Sequence, residues 1–218
     1  MERFFIIDKY NTFADWGLIL TAKDVTPPEP KTNYVNLDGV HGTLDLSESL
    51  TGEIAYNDRT VSASFWTCDG SRNDRELRLK QIIRLLHGKK VKISEPDDLN
   101  HYFYGRIKIG NVKNILPYSE FTLEAVCEPW RYSISDSVCK VDVNNQLATD
   151  VIITNNGVKT LTPIIDVVGS VNLTYNGDTV SLESGSYRIT DFKLYQGTNI
   201  VNVSGNGSVT FTYKEADL

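Results

Sequence analysis

The stretch VNLTYNGDTVSL, residues 171–182, decides the fold class. Val171, Leu173 and Tyr175 alternate with Asn172 and Thr174, a period of two that turns one face of a strand to a core and the other to water. Asn176-Gly177-Asp178 interrupts the pattern, and Val180 and Leu182 resume it. Asn-Gly marks a tight hairpin, because both central residues of its turn need positive φ. Further on, Val201 and Val203 lead to Gly205-Asn206-Gly207, which reads as another turn signal. Val209, Phe211 and Tyr213 follow on one face. Short strands at this spacing, with no helical pattern between them, predict a small β-sandwich or jelly roll over residues 139–218.

Upstream the character differs. Residues 1–138 carry 17 basic and 20 acidic side chains, against 5 and 8 in residues 139–218, and no tryptophan follows Trp130. This places a domain boundary at 133–142. In the first domain, residues 1–138, Phe4–Ile7, Leu44 with Leu46, Val61-Ala63-Phe65, Val91–Ile93, Tyr102–Ile109 and Phe121-Leu123-Ala125-Cys127 read as strands. Cys127 falls on the apolar face and is expected as a small buried hydrophobe. Pro27-Pro28-Glu29-Pro30 cannot sit in a central strand, since proline lacks the ladder donor, and reads as an exposed loop or arm. One helix is expected over about 73–87. Asn73 and Glu76 have capping-box spacing, Leu79, Ile82, Ile83 and Leu86 share a face, and Gly88 supplies the stop. The expected fold is therefore mainly β: a β-sandwich with one packed helix, then a smaller β-sandwich.

Charge and motifs bear on function. The formal net charge is −6. A nucleic-acid binder needs a concentrated positive face. The dense basic run, Arg72, Arg75, Arg78, Lys80, Arg84, Lys89, Lys90 and Lys92, follows the helix and reads as a solvated face or a charged subunit interface. The opening MERFFIIDKY has too short an apolar run for a membrane span or a signal peptide. Cys68, Cys127 and Cys139 are expected as free thiols. They and His41, His87 and His101 lack zinc-ligand spacing. His87 fits a helix C-terminus, where a partly cationic imidazole meets the dipole. No phosphate loop, dinucleotide fingerprint, nucleophile elbow or zincin motif is present. No catalytic, cofactor-binding or metal-ligating residue is assigned, no cofactor is expected, and the chain reads as a non-enzyme. Tyr10, Trp16, Tyr34, Tyr56 and Tyr118 can anchor an interface or close the ends of a sandwich. A carbohydrate-binding module acting in host-surface adhesion is the alternative function. It rests on Tyr175, Tyr187, Tyr195 and Tyr213 as accessible platforms.

Residues 37–66 read LDGVHGTLDLSESLTGEIAYNDRTVSASFW. With Gly39, Gly42, Asp45, Leu46, Thr51, Gly52, Tyr56, Arg59 and Phe65, this resembles the N-terminal region of the distal tail (Dit) proteins of long non-contractile-tailed bacteriophages and prophages. Leu85-Leu86-His87-Gly88-Lys89, Tyr102-Phe103-Tyr104-Gly105-Arg106 and Pro129-Trp130-Arg131-Tyr132 follow in the family's order. So do Thr162-Pro163-Ile164-Ile165, the Gly205–Thr210 step and Tyr213-Lys214. The resemblance implies a structural tail component of the virion, assembled in the host cytoplasm. Its first domain would form a hexameric ring, and its second would be a galectin-like sandwich projecting outward. The ring would join the tail tube, with the tape-measure protein, to tail-associated lysin or fibre proteins at the tip or baseplate. DNA would pass through its channel without specific binding. A low-friction channel would turn the basic helix away from the lumen and leave loop acids such as Asp38, Glu48, Glu53 and Asp58 to reach it.

Overall fold

The computed structural model describes residues 4–67, 70–115 and 118–218. The chain divides into two compact units, residues 1–131 with 218 and residues 132–217. Cys68 lies outside the described residues.

The first unit contains β1 (Ile6–Ile7), β2 (Tyr10–Asn11), β3 (Ile19–Val25), β4 (Tyr34–Asn36), β5 (Thr43–Asp45), β6 (Arg59–Thr67), α1 (Arg72–Leu86), β7 (Lys90–Glu95), β8 (Asp98–Ile115) and β9 (Tyr118–Ser133). A curled sheet runs in the order β2-β1-β7-β8-β9-β6-β3. The period-two reading holds best in β6, where Val61, Ala63 and Phe65 are buried and pair with Ala125, Leu123 and Phe121 of β9. Phe65 stacks on Phe121 at 5.5 Å between ring centroids and meets Phe5 edge-on at 6.3 Å. Offset and edge-on pairs suit the ring quadrupole and add to what burial contributes. Pro96 and Asp97 form the turn between β7 and β8, where Glu95 pairs with Asp98.

Helix α1 buries Leu79, Ile82 and Leu86 in the same core, and Ile83 is half-buried. Its capping box lies two residues ahead of the expected Asn73 and Glu76. Ser71 Oγ accepts from the Asp74 N–H at 3.3 Å, while the Ser71 N–H donates to Asp74 Oδ2 at 2.9 Å. The reciprocal spacing of three is the same, so an alternative cap was available to the chain. Asn73 then sits inside the first turn, and Glu76 pairs with Arg72 at 3.1 Å. Gly88 ends the helix at φ +78°. A second departure concerns Arg75, expected outside but buried. Its guanidinium donates to the Gly70 carbonyl at 2.9 Å and reaches Ser119 Oγ at 3.4 Å.

The second unit is built on a curled antiparallel sheet in the order β10-β14-β11-β12, with β13 also on β11. Its strands are β10 (Ser137–Asn155), β11 (Ile164–Tyr175), β12 (Asp178–Leu182), β13 (Gly185–Tyr187) and β14 (Gly197–Tyr213), with a short β15 (Ala216–Asp217). The hairpin at 171–182 forms as expected. Tyr175 pairs with Asp178 across Asn176 at φ 52° and Gly177 at φ 91°. Phe192 and Leu194 cover a core of Val151, Ile153, Ile165, Leu173, Val201, Val203 and Phe211. Two buried asparagines fasten that covering segment. Asn155 Nδ2 donates to the carbonyls of Lys159 and Leu194, and Asn199 Oδ1 accepts from the Tyr195 N–H and the Tyr175 hydroxyl.

Gly205-Asn206-Gly207 is not a turn. β14 continues through it as one strand, and Gly205 and Gly207 pair with Val171 and Gly169 of β11. A Cβ on Gly207 would stand 1.9 Å from the Val168 carbonyl oxygen, and one on Gly205 2.4 Å from that of Ser170. Glycine serves here to let two strands approach while φ is positive, which is a bend in a ladder rather than its end.

Candidate assembly surface

Between β3 and β6 the chain leaves the sheet for residues 26–58. Thr26 and Thr60 close the base, the Thr26 N–H and hydroxyl both donating to the Thr60 carbonyl at 3.2 and 3.0 Å. Lys31 donates to Ala55, and Asn57 to Glu29. Arg59 locks this junction. It is 6% exposed, donates from Nε to the Thr26 carbonyl at 3.0 Å and from Nη1 to that of Pro129 at 3.2 Å, and lies 4.9 Å from the Phe103 ring centroid. Desolvation, with repulsion from Arg131, holds its pKa below the usual guanidinium value.

Beyond the base stands a separate hairpin. Tyr34, Val35 and Asn36 of β4 pair with Asp45, Leu44 and Thr43 of β5, around a turn with Gly39 and Gly42 both at φ +84°. Leu44 was expected on the buried face of a strand. It is exposed: β4 and β5 form a sheet of their own, and among the described residues nothing buries Leu44. Tyr34, Leu37, Val40, Leu44 and Leu50 are all solvent-facing, Leu50 at 98%. An isolated two-stranded hairpin is marginal in water without further packing. The excursion is also acidic: Glu29, Asp38, Asp45, Glu48, Glu53 and Asp58 stand against Lys31. Ser47 donates to Asp45 from its hydroxyl and its N–H, holding that carboxyl below the ordinary range.

A second exposed surface lies on α1. Leu77, Lys80, Gln81, Ile83 and Arg84 line an open groove, and Leu77 is 59% exposed. Arg78 turns away from it and donates to the Trp16 carbonyl and Thr67 Oγ1, both at 3.2 Å.

The remaining candidates are absorbed by the fold. His87 Nδ1 accepts from the Ile109 N–H at 3.1 Å, and His101 meets Asp98 at 2.8 Å. Burial pushes the Cys127 thiol up to about 12 and also raises Cys139, so neither is a poised nucleophile. Among the described residues, no His, Cys, Asp and Glu cluster could hold a metal, and no helix is long and apolar enough to cross a membrane. Trp16 stacks on Tyr10, Tyr56 meets Trp130 edge-on and Tyr118 stacks on Trp66, which leaves Tyr34 as the outward anchor of the five aromatics. Tyr175 and Tyr213 are buried core residues rather than accessible platforms, and the Tyr213 hydroxyl donates to the Thr154 carbonyl at 2.7 Å. The Tyr187 hydroxyl donates to the Glu183 carbonyl, and Tyr195 is the exposed member of that set.

The chain folds as two β-rich units, the first carrying helix α1 and an exposed acidic hairpin. It superposes on the crystal structure of the SPP1 Dit (gp 19.1) protein, a paradigm of the hub adsorption apparatus in Gram-positive infecting phages. The TM-score is 0.71 over 99% of each chain, at 16% sequence identity. This chain has the distal tail protein fold. No protein-family model matches the sequence, and no curated protein matches it significantly. The likeness to Dit is therefore carried by architecture, along the whole length of both chains. Arg59, Gly88 and Gly105, which carry the sequence resemblance to Dit proteins, each hold a structural post. Gly105 faces Cys127 so closely that a Cβ would sit 2.4 Å from its sulfur.

Proposed function

We propose that this protein is a structural, non-enzymatic component of a phage or prophage tail, a Dit-type hub at the tail tip. The observation that carries the reading is the end-to-end match of both units to the SPP1 Dit fold. In this reading the first unit forms a hexameric ring, and the two domains are residues 1–138 and 139–218. The ring joins the tail tube to lysin or fibre proteins, with the tape-measure protein at its tube side, and leaves a channel through which DNA passes without specific binding. It assembles in the host cytoplasm and resides in the virion. A ring requires head-to-tail contacts, in which two different surfaces of each copy meet and the rotation closes. The exposed excursion and the basic helix supply two such surfaces. The exposed apolar hairpin favours an assembly role over sugar binding, since the proposed sugar platform is largely core. Electron microscopy of tail tips, with the full chain located by an epitope tag, is expected to show sixfold density containing it. A tip with the tag outside a ring, or with other symmetry, refutes the hexameric hub.

A further inference from the structure

We infer that the outer face of the β7–β8 pair binds a flexible chain of repeating phosphodiesters, of the poly(glycerol phosphate) class. The fold divides the basic run of residues 72–92. Its first part lies on α1, whereas Lys90 and Lys92 lie on β7. There they meet β8, whose cations are distant in sequence. Lys90 pairs with Arg106 and Lys92 with Tyr104, while Ile93, Phe103 and Ile107 are buried in the core. Alternation along the strands therefore turns Lys90, Lys92, Arg106 and Lys108 away from the core, and all four are exposed. The Arg106 guanidinium is fixed by donating to the Gly88 carbonyl. The four form a stepped strip: Lys92, then Lys90 beside Arg106, then Lys108. Each step is two strand residues, about 6.8 Å, close to the reach from one phosphate to the next along a glycerol phosphate chain. In a chain of net charge −6, such a strip is a local attractor for phosphate. Two features select the polymer. Single-stranded nucleic acids stack their bases on open aromatic rings. The Tyr104 and Tyr102 rings already carry the Lys90 and Lys92 ammonium groups, 4.5 and 4.7 Å from their centroids, so neither offers its outer face to a base. Carboxylates also narrow the strip. On β9, the next strand of the sheet, Glu128 binds Lys90 at 2.7 Å, and Glu124 is exposed. A stiff duplex presents phosphates across a broad front and meets those carboxylates, whereas a flexible chain follows the strip. With Lys90 held by Glu128, it is Lys92, Arg106 and Lys108 that supply the phosphate contacts.

The test measures binding of synthetic poly(glycerol phosphate) to the full chain by biolayer interferometry. Saturable binding is expected at about 50 mM salt. Three phosphate contacts to a flexible single chain give a slope of about −2 in log affinity against log salt, so each doubling of salt should weaken binding about fourfold. Lys92→Gln plus Lys108→Gln should weaken it by about tenfold or more, whereas Lys80→Gln plus Arg84→Gln, on α1, should change it by less than about twofold. Tryptophan fluorescence during thermal unfolding checks that each variant is folded. A second measurement needs no variant: in the unaltered chain, bound polymer should protect Lys92 and Lys108 from acetylation and leave Lys80 reactive. Absence of binding, equal losses in the two double variants, or protection of Lys80 in place of Lys92 and Lys108 each overturn the inference. Equal or tighter binding of a single-stranded oligonucleotide or a DNA duplex carrying the same number of phosphates assigns the strip to nucleic acid and overturns it too. Comparable binding of polyglutamate reduces the strip to unselective attraction of negative charge, with the same consequence.

Discussion

Arg59 is the residue on which the base of the excursion depends, and its removal has a magnitude that can be worked out. The guanidinium makes hydrogen bonds to two backbone carbonyls, Thr26 and Pro129, and lies over Phe103. Hydrogen bonds from a charged donor contribute about 1.5–3 kcal/mol each, and a cation over a ring about 1 kcal/mol. Against this stand the desolvation of the charge and its repulsion by Arg131, the two causes that depress its pKa. Thr26 is exposed, so its carbonyl can turn to water when the donor is lost. Arg59→Ala is therefore expected to cost about 3 kcal/mol, and Arg59→Met, which keeps most of the packing, about 2 kcal/mol. At roughly 4 °C per kcal/mol for a unit of this size, Arg59→Ala should lower the midpoint by about 12 °C. Trp16, Trp66 and Trp130 all lie in the first unit, so tryptophan fluorescence during thermal or urea unfolding reads that unit alone. Trypsin should also cleave Lys31 faster in the variant. A loss below about 1 kcal/mol in Arg59→Ala, with unchanged cleavage, would refute the assignment of Arg59 as the clasp.

Four further outcomes follow from the fold. Ser71→Ala should cost about 1 kcal/mol in urea titrations and Asn73→Ala close to nothing; equal effects would move the cap back to Asn73. Gly207→Ala should destabilise the second unit by more than about 4 kcal/mol, seen by circular dichroism, while the tryptophan transition stays in place. Cys127 should resist alkylation at pH 8 in the folded chain and react in urea. Its folded pKa is raised, so its contribution to stability is full below the unfolded value of about 8.5 and is lost as pH rises toward about 12. Rapid labelling of Cys127 in the native protein contradicts the burial. Limited proteolysis should cut first at the exposed Ile134–Asp136 step or in the 26–58 excursion; early cuts within β14 would count against two separately folded units.

What was legible in the sequence was whatever a local pattern and its local consequence shared. Asn176-Gly177 forces its hairpin, and Leu79, Ile82 and Leu86 find the core because helical spacing leaves them one face. Cys127 lies buried because its neighbours at two-residue steps do. The misses came where the deciding partner is distant in sequence. Arg75, on α1, reads as a surface charge until Ser119 of β9 and the Gly70 carbonyl meet its guanidinium. Gly205-Asn206-Gly207 has the composition of a turn, and only the backbone of β11 pressing on it makes it a bend. Leu44 alternates as a core strand does, yet among the described residues it stays exposed. Tyr175 and Tyr213 alternate as well, and there the core was the right destination. For the candidate surface, the Pro27–Pro30 breaker and the acidic run were visible, but not the pairing that turns residues 34–45 into a free hairpin.

The strand order of the second unit constrains the time course of its folding. β14 lies between β10 and β11, yet it is synthesised after both. Ser137 has to wait for Tyr213, its ladder partner, and Ile164 for Thr212. Until residues 197–213 emerge, β10 and the inner edge of β11 have no shared neighbour, and β11 can pair only with β12 and β13. Such a topology has high contact order and folds slowly, with open strand edges exposed meanwhile. A nascent or truncated chain ending before Gly197 would hold a finished first unit attached to an unpaired, aggregation-prone sheet. The cell therefore handles this protein as a molecule whose late-made β14 decides whether β10 and β11, made before it, are usable.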